Sequence, residues 1–167
     1  MSTKFGKLIP IYEQIINEVG DLKNIKPFPI NGENFAVEYN NEKLRGKVSF
    51  TQANIEMFEL PPIAEKWDEA YNIGYSIEGF GSQYLKGNLK LLLKILKTVS
   101  IIISNYIKQN PDNLYLIFAE SKYGMEYEDP QKLLIYGEIL KKHLPNQFRM
   151  GETNFAGIAK GIFIIKK

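Results

Sequence analysis

The sequence contains no cysteine and a single histidine, His143. Without thiols there is no disulfide scaffold, no thiolate metal site and no cysteine nucleophile. One histidine excludes a histidine-rich metal cage and a paired-histidine catalytic site, and a serine triad would have to use His143. Most hydrolase chemistries are therefore excluded, and we expect no metal site.

The chain also lacks a surplus of charge of one sign. Its 21 basic side chains stand against 19 acidic ones, which gives a formal net charge of +2. Binding to a phosphate backbone requires clustered cations, so nucleic acid is not an expected partner. With 44% hydrophobic residues, the chain has enough apolar surface to fold around a core.

Long uninterrupted apolar runs are missing as well. The most apolar window, Leu89 to Ile107, is broken by Lys90, Lys94 and Lys97, which would be costly to bury in a bilayer. We therefore expect no membrane association. The first residues reach Pro10 before any long apolar stretch forms, which predicts that no signal peptide directs secretion.

The length of 167 residues predicts a single domain over residues 1–167, and the chain contains clear hydrophobic periodicity. Residues 1–26 are predicted to be an N-terminal amphipathic helix and a linker, and residues 34–167 a single core. Within the core, alternation predicts a hairpin from Phe35–Tyr39 and Leu44–Phe50. A third strand is predicted at Ile55–Leu60 and a fourth at Tyr71–Ile77.

The second half of the core changes to helical periodicity. The predicted elements are a helix at Leu89–Ile107, a buried strand at Leu114–Ala119, a helix from Asp129 to Pro145, and strands at Gln147–Met150 and Phe155–Ile165. A helix that joins two strands is a crossover connection, so the fourth and fifth strands should be parallel neighbours. The predicted fold class is α+β, with a mixed, mostly antiparallel sheet flanked by helices.

Three segments of this order resemble the GNAT acetyltransferase-like superfamily. They are the strand Tyr71–Glu78 running into Gly79–Gln83 and a long helix, the buried strand Leu114–Ala119, and Gln131–Tyr136 on the next helix, which is similar to the family's tyrosine-bearing helix. The resemblance implies a GNAT-like fold. It also implies that the strand-to-helix loop, consisting of Gly79, Phe80, Gly81, Ser82 and Gln83, holds the pyrophosphate of acetyl-CoA through backbone N–H groups and the helix dipole.

The sequence departs from the family's phosphate-binding pattern in one respect. That pattern is a basic or glutamine residue, two free positions, glycine, one free position, then glycine or alanine. Here Gln83 begins the match, but the first glycine position is occupied by Lys86.

If the chain is an enzyme, three residues are its catalytic candidates. Glu78 and Glu120 lie at the ends of the two strands expected to be parallel, where one carboxylate can accept a proton from an amine. The resemblance implies that Tyr136 protonates the departing thiolate. The structural alternatives are solvated strand ends for the carboxylates and core packing for Tyr136.

Other segments resemble small uncharacterised proteins of tailed bacteriophages. These are Ile15–Leu22, Leu91–Val99 and Asp129–Leu133. This resemblance implies a phage context, with the host cytoplasm or the virion as the location, and it implies no reaction.

The connection between the third and fourth predicted strands is apolar and rich in proline. It contains Met57, Phe58 and Trp67 around Pro61–Pro62. If exposed, these side chains form a partner-binding patch; alternatively, the connection folds back over the sheet. Both interpretations stay open at the level of sequence.

These observations favour a non-catalytic interaction protein, acting within a virion or on a host factor, that needs no cofactor. The alternative is an acyl-CoA-dependent N-acyltransferase with acetyl-CoA as its cofactor. A third interpretation is a site for a nucleotide or its signalling derivative in the same cleft. A protein is the expected partner, and self-association is left open.

Overall fold

The computed structural model describes residues 24–64, 67, 69–79, 89–118, 130–155 and 159–167. The predicted N-terminal helix therefore lies outside the described residues. So do Phe80, Gly81, Ser82, Gln83 and Glu120. For a few described positions, including Met57, only the backbone is described.

Within these ranges the chain forms one eight-stranded sheet and two α-helices. The elements are β1 (Ile30–Asn31), β2 (Asn34–Tyr39), β3 (Glu42–Gln52), a 3₁₀ helix (Ile55–Met57), β4 (Phe58–Glu59), β5 (Ala70–Ile77), α1 (Leu89–Gln109), β6 (Leu114–Phe118), α2 (Pro130–His143), β7 (Phe148–Phe155) and β8 (Ala159–Lys166). The strand order across the sheet is β1-β2-β3-β5-β6-β8-β7-β4.

The predicted hairpin is confirmed as β2 and β3. Tyr39 pairs with Glu42, which leaves a two-residue turn of Asn40 and Asn41 with φ angles of 50° and 63°. Asparagine tolerates this left-handed region better than other side chains, and such turns match the twist of the strands they join.

The crossover prediction is confirmed by the pairing of β5 with β6. The two strands are parallel, from Ala70 opposite Leu114 to Ile73 opposite Ile117, and α1 joins them. Every other pairing in the sheet is antiparallel. The fold is therefore α+β with a mixed, mostly antiparallel sheet, as predicted.

The sheet carries a buried cluster on each face. On the helix face, which packs against α1 and α2, strand residues such as Tyr115 and Ile117 join helical residues such as Leu96 and Leu140. The segment at residues 53–67 is called the connection, and the face of the sheet opposite the helices is called the connection face. There, the strand residues that alternate with those of the helix face pack against the described part of the connection. The buried members on that side are Ala64, Ala70, Leu114, Leu116, Phe163 and Ile165. β6 is thus covered on both faces, as its continuous apolar run predicted.

The predicted third strand at Ile55–Leu60 is confirmed only at Phe58–Glu59 and is wrong for Ile55–Met57. Ile55–Met57 forms a 3₁₀ helix, which the Asn54 side chain caps by accepting a hydrogen bond from the Glu56 N–H at 3.1 Å. Only Phe58–Glu59 is extended, and it pairs with β7 at the far edge of the sheet instead of with β3. The asparagine cap competes with extended backbone, which the apolar alternation of the segment did not reveal.

Candidate functional site

The parallel strands β5 and β6 are paired over only part of their length. Their pairing ends at Ile73 and Ile117, whereas β5 continues to Ile77. On its other side, β5 stays paired with β3 as far as Ile77, opposite Gly46. The second half of β5 therefore extends beyond the described end of β6, toward the turn that the GNAT resemblance assigns to cofactor binding.

The predicted acid Tyr136 lies over this half of β5, on the helix face. Its ring is centred 6.1 Å from the ring of Tyr75, and its side chain is only 6% exposed. The hydroxyl is buried, and no described residue forms a hydrogen bond with it. Burial raises the pKa of Tyr136 well above its ordinary value of 10, with a smaller contribution from Tyr75.

Glu78 and Gly79 form the turn after β5. The Glu78 side chain is exposed, and its backbone N–H donates to the Arg45 carbonyl at 2.9 Å. Gly79 has a φ of +68°, a conformation that a side chain makes unfavourable. The glycine is thus explained by the turn itself, whatever the loop binds.

The described part of the connection at residues 53–67 packs over the sheet, which was the second interpretation of its sequence. Phe58 and Trp67 are partly buried against the cluster on the connection face. The Thr153 hydroxyl, on β7, donates to the Glu59 carbonyl at 2.8 Å and fixes the start of the connection. Partial exposure leaves both aromatic side chains within reach of a partner, while the Met57 side chain lies outside what the structure describes.

Two buried polar atoms lie on the connection face. The Trp67 indole nitrogen and the Asn72 side-chain oxygen each have no hydrogen-bond partner among the described residues. Asn72 lies in β5 opposite Leu116, on the face where the alternation of Tyr71–Ile77 places its polar residues. The sequence analysis did not single out Asn72, because a polar residue at this phase of the alternation predicts an exposed side chain.

Four aromatic rings form a second feature that the sequence analysis missed. Phe50 and Tyr106 stack with ring centroids 3.7 Å apart, and each meets Tyr115 edge-on at 6.3 and 6.2 Å. Tyr71 lies 6.3 Å from Tyr115. The Tyr115 hydroxyl donates to the Asn110 carbonyl, and burial is the main cause that raises its pKa to about 12. Because the Tyr115 hydroxyl donates to the carbonyl of the residue that follows α1, the cluster stabilises the end of that helix.

The lysines of α1 differ in their surroundings. Lys90 is exposed, whereas Lys94 is partly buried, with its ammonium 4.5 Å from the centre of the Phe28 ring. A cation over an aromatic face is stabilised by the ring quadrupole. Lys94 therefore has a structural contact and is not simply part of a solvated face.

Among the described residues, no group of three or more histidine, aspartate or glutamate side chains is arranged to hold a metal ion. None of the helices in the described ranges has the length and apolar character needed to cross a bilayer.

Comparison with known proteins gives no further indication. No protein-family model, curated protein or solved structure matches the chain significantly.

Proposed function

We propose that this chain is a GNAT-like protein of tailed-bacteriophage origin that acts through protein contacts and catalyses no reaction. It works in the host cytoplasm or in the virion, and its partner is a virion component or a host factor. The observation that carries the proposal is the position of Phe58 and Trp67, which are partly exposed yet packed on a buried cluster.

This arrangement has the properties of an interaction surface. Binding energy concentrates in a few aromatic side chains, and a side chain already held in place loses little entropy on binding. Packing against the connection face holds Phe58 and Trp67, and Pro61 and Pro62 restrict the backbone between them. The connection at residues 53–67 is therefore the proposed contact surface, with Met57 as its third predicted member.

The surroundings of Glu78 and Tyr136 and the residue at position 86 favour a protein that catalyses no reaction. Glu78 is exposed to solvent, so its carboxylate stays hydrated and is not held in a buried site. Burial raises the pKa of Tyr136 well above 10, which makes its hydroxyl a weaker proton donor than that of an ordinary tyrosine. Lys86 occupies the glycine position of the phosphate-binding pattern.

A comparison of variants tests the contact surface. Wild-type protein and the variants Phe58→Ala and Trp67→Ala are immobilised and exposed to lysate of infected cells, and bound proteins are quantified by mass spectrometry. We expect one protein to be enriched on the wild type, to be lost from both variants, and to be retained by Lys108→Ala, which changes an exposed residue of α1. A bound set that is identical on all four proteins would contradict the proposed surface.

Trp67 offers a second readout, because it is the only tryptophan in the chain. Its fluorescence should shift when the identified partner is added to the wild type. Mass spectrometry of purified particles tests the virion location, and absence of the chain from the particle would rule that location out.

The alternative proposal is an acyl-CoA-dependent N-acyltransferase. It is favoured by the buried Tyr136 hydroxyl, which has no partner among the described residues and lies over the half of β5 that leads into the turn at Gly79. In this alternative Gly79–Gln83 holds acetyl-CoA, and Glu78 or Glu120 accepts the proton of the amine in a direct attack.

Calorimetry with acetyl-CoA separates the two proposals. We expect no binding heat at millimolar ligand. Micromolar binding that disappears in Gly81→Arg and weakens in Tyr136→Phe would overturn the non-catalytic proposal and establish the cofactor site.

A further inference from the structure

Among the described residues, the outer edge of β7 is paired at only two of its eight positions. All eight residues of β7 pair with β8, but only Asn154 and Phe155 pair with β4 on the other side. An open strand edge presents unpaired N–H and C=O groups that another chain can extend.

The register identifies which groups face outward. Just before β7, the Lys167 N–H donates to the Gln147 carbonyl at 2.7 Å, so these two residues form a hydrogen-bonded pair. Hydrogen-bonded and non-bonded pairs alternate in antiparallel strands, so odd-numbered residues of β7 face β8 and even-numbered ones face outward.

Four outward groups form a self-complementary set. The Phe148 N–H is already used, since it donates to the Pro145 carbonyl at 3.0 Å. The Phe148 C=O and both the N–H and C=O of Met150 and of Glu152 remain, and no described residue beyond β7 forms a hydrogen bond with them. In a second copy related about Met150, the Glu152 C=O meets the engaged Phe148 N–H, so the self-complementary set consists of the Phe148 C=O, the Met150 N–H and C=O, and the Glu152 N–H. The donors and acceptors in this set balance about Met150.

We propose that two copies of this chain pair through β7, antiparallel, about a two-fold axis at Met150. Met150 and the partner's Met150 exchange two hydrogen bonds, and each Glu152 N–H donates to the carbonyl of the partner's Phe148. The eight-stranded sheet of each copy then continues into the other.

The pairing of β4 excludes one neighbouring register, and the opposite slip, with Met150 opposite the partner's Phe148, leaves both Met150 carbonyls without a donor because each Phe148 N–H already donates to Pro145. If Met150 lay opposite the partner's Glu152, the partner's Phe148 would face Asn154, which is already paired with Glu59. A slip by one residue is also excluded, because it would turn the two helix faces to opposite sides of the joined sheet. In the proposed register the two Met150 side chains, each partly buried on the helix face, meet across the axis.

Four hydrogen bonds and one methionine contact make a small interface compared with the 1,200 to 2,000 Å² that is usual for stable complexes. Self-association is therefore expected to be weak, with a Kd of about 100 µM to 1 mM.

A single introduced cysteine tests the register directly, because the chain has none of its own. Residues opposite each other in a hydrogen-bonded antiparallel pair have Cα atoms about 5.5 Å apart, within the range of a disulfide. Under mild oxidation, Met150→Cys should form a linked dimer about tenfold faster or more than Asn105→Cys, an exposed control on α1. Equal rates would overturn the proposal.

Proline at the edge tests the hydrogen bonds. Met150→Pro removes an outward N–H and leaves the β8 ladder intact, whereas Met150→Val keeps the N–H. In sedimentation over about 10 to 500 µM, the wild type and Met150→Val should show a rise in average mass and Met150→Pro should not. The proposal would be overturned by a wild type that stays monomeric throughout, even if that protein captures another one. It would also be overturned by a Met150→Pro variant that associates as well as the wild type. If circular dichroism shows Met150→Pro unfolded, Glu152→Pro replaces it.

Discussion

Gly46 lies beneath the ring of Phe35, its partner across the hairpin of β2 and β3. A Cβ at Gly46 would come within 2.3 to 2.6 Å of three atoms of that ring, which is 3% exposed and closely packed. The ring thus occupies the space that any larger residue would need. Gly151 and Phe163 repeat this arrangement between β7 and β8, where the closest approach is also 2.3 Å.

Gly46→Ala should lower the free energy of unfolding by about 1 to 3 kcal/mol, since the added methyl group must displace a packed ring. Gly74→Ala is the matched control in β5, because a Cβ there meets nothing within 4 Å. Urea denaturation measures both variants. Equal stability of the two would show that the Phe35 ring moves aside at no cost.

Tyr136→Phe should raise the free energy of unfolding by about 1 kcal/mol, because it removes a buried hydroxyl with no partner among the described residues. Tyr115→Phe is its counterpart in the same core and should lower stability, since it removes a hydrogen bond to the Asn110 carbonyl. Thermal and urea denaturation of both variants would check the difference. Destabilisation by Tyr136→Phe would indicate that its hydroxyl is hydrogen-bonded after all.

At the scale of elements, Thr98 joins α1 to the extended segment before β1. Its hydroxyl donates to the Lys94 carbonyl at 2.7 Å and accepts the Phe28 N–H at 2.9 Å, across 70 residues of sequence. Phe28 is 4% exposed, so this N–H has no access to water. Thr98 is polar although it lies on the core face of α1, because its hydroxyl holds the segment before β1 in place.

Thr98→Val keeps the shape of the side chain and leaves the Phe28 N–H buried without an acceptor. We expect a loss of about 1 to 3 kcal/mol in the free energy of unfolding. Thr51→Val, at an exposed position of β3, should be close to neutral. Hydrogen exchange at the Phe28 amide gives a local measurement, and unchanged protection in Thr98→Val would contradict this account.

The two helices are joined near the end of α2. The Ser104 hydroxyl on α1 donates to the His143 carbonyl at 2.7 Å and satisfies one of the carbonyls that a helix leaves free at its C-terminus. His143 is partly buried there, which lowers the pKa of its side chain below 6.5, and Lys97 and Lys142 lower it further.

At the scale of the whole molecule, this shift makes stability depend on pH. The unfolded chain takes up a proton at His143 as the pH falls below about 6.5, while the folded chain resists protonation. The contribution of His143 to the free energy of unfolding should therefore be constant at and above neutral pH and should decline as the pH drops from 6.5 through the folded-state pKa. In His143→Gln this decline should be smaller between pH 7.5 and 5.5, measured by urea denaturation in matched buffers. An identical pH profile in the variant would exclude His143 as the cause.

The sequence by itself determined the local elements and their order. The period of two in β2, β3 and β5, the amphipathic pattern of α1, and the continuous apolar run of β6 are each set by neighbouring residues, so they can be recognised without tertiary contacts. The parallel pairing of β5 with β6 followed from the crossover rule, because a helix that joins two strands and packs on the sheet returns the chain so that the second strand runs in the direction of the first.

Only the tertiary structure decided which distant segments share a surface. Nothing local to Phe58–Glu59 specifies pairing with β7, and nothing local to Tyr136 shows that its hydroxyl is buried with no partner in the part of the chain that the structure describes. The same holds for the outer edge of β7, of which β4 covers only two residues and no other described strand covers any. Long-range burial and register depend on the whole packed chain, since each position's surroundings are supplied by residues far away in sequence.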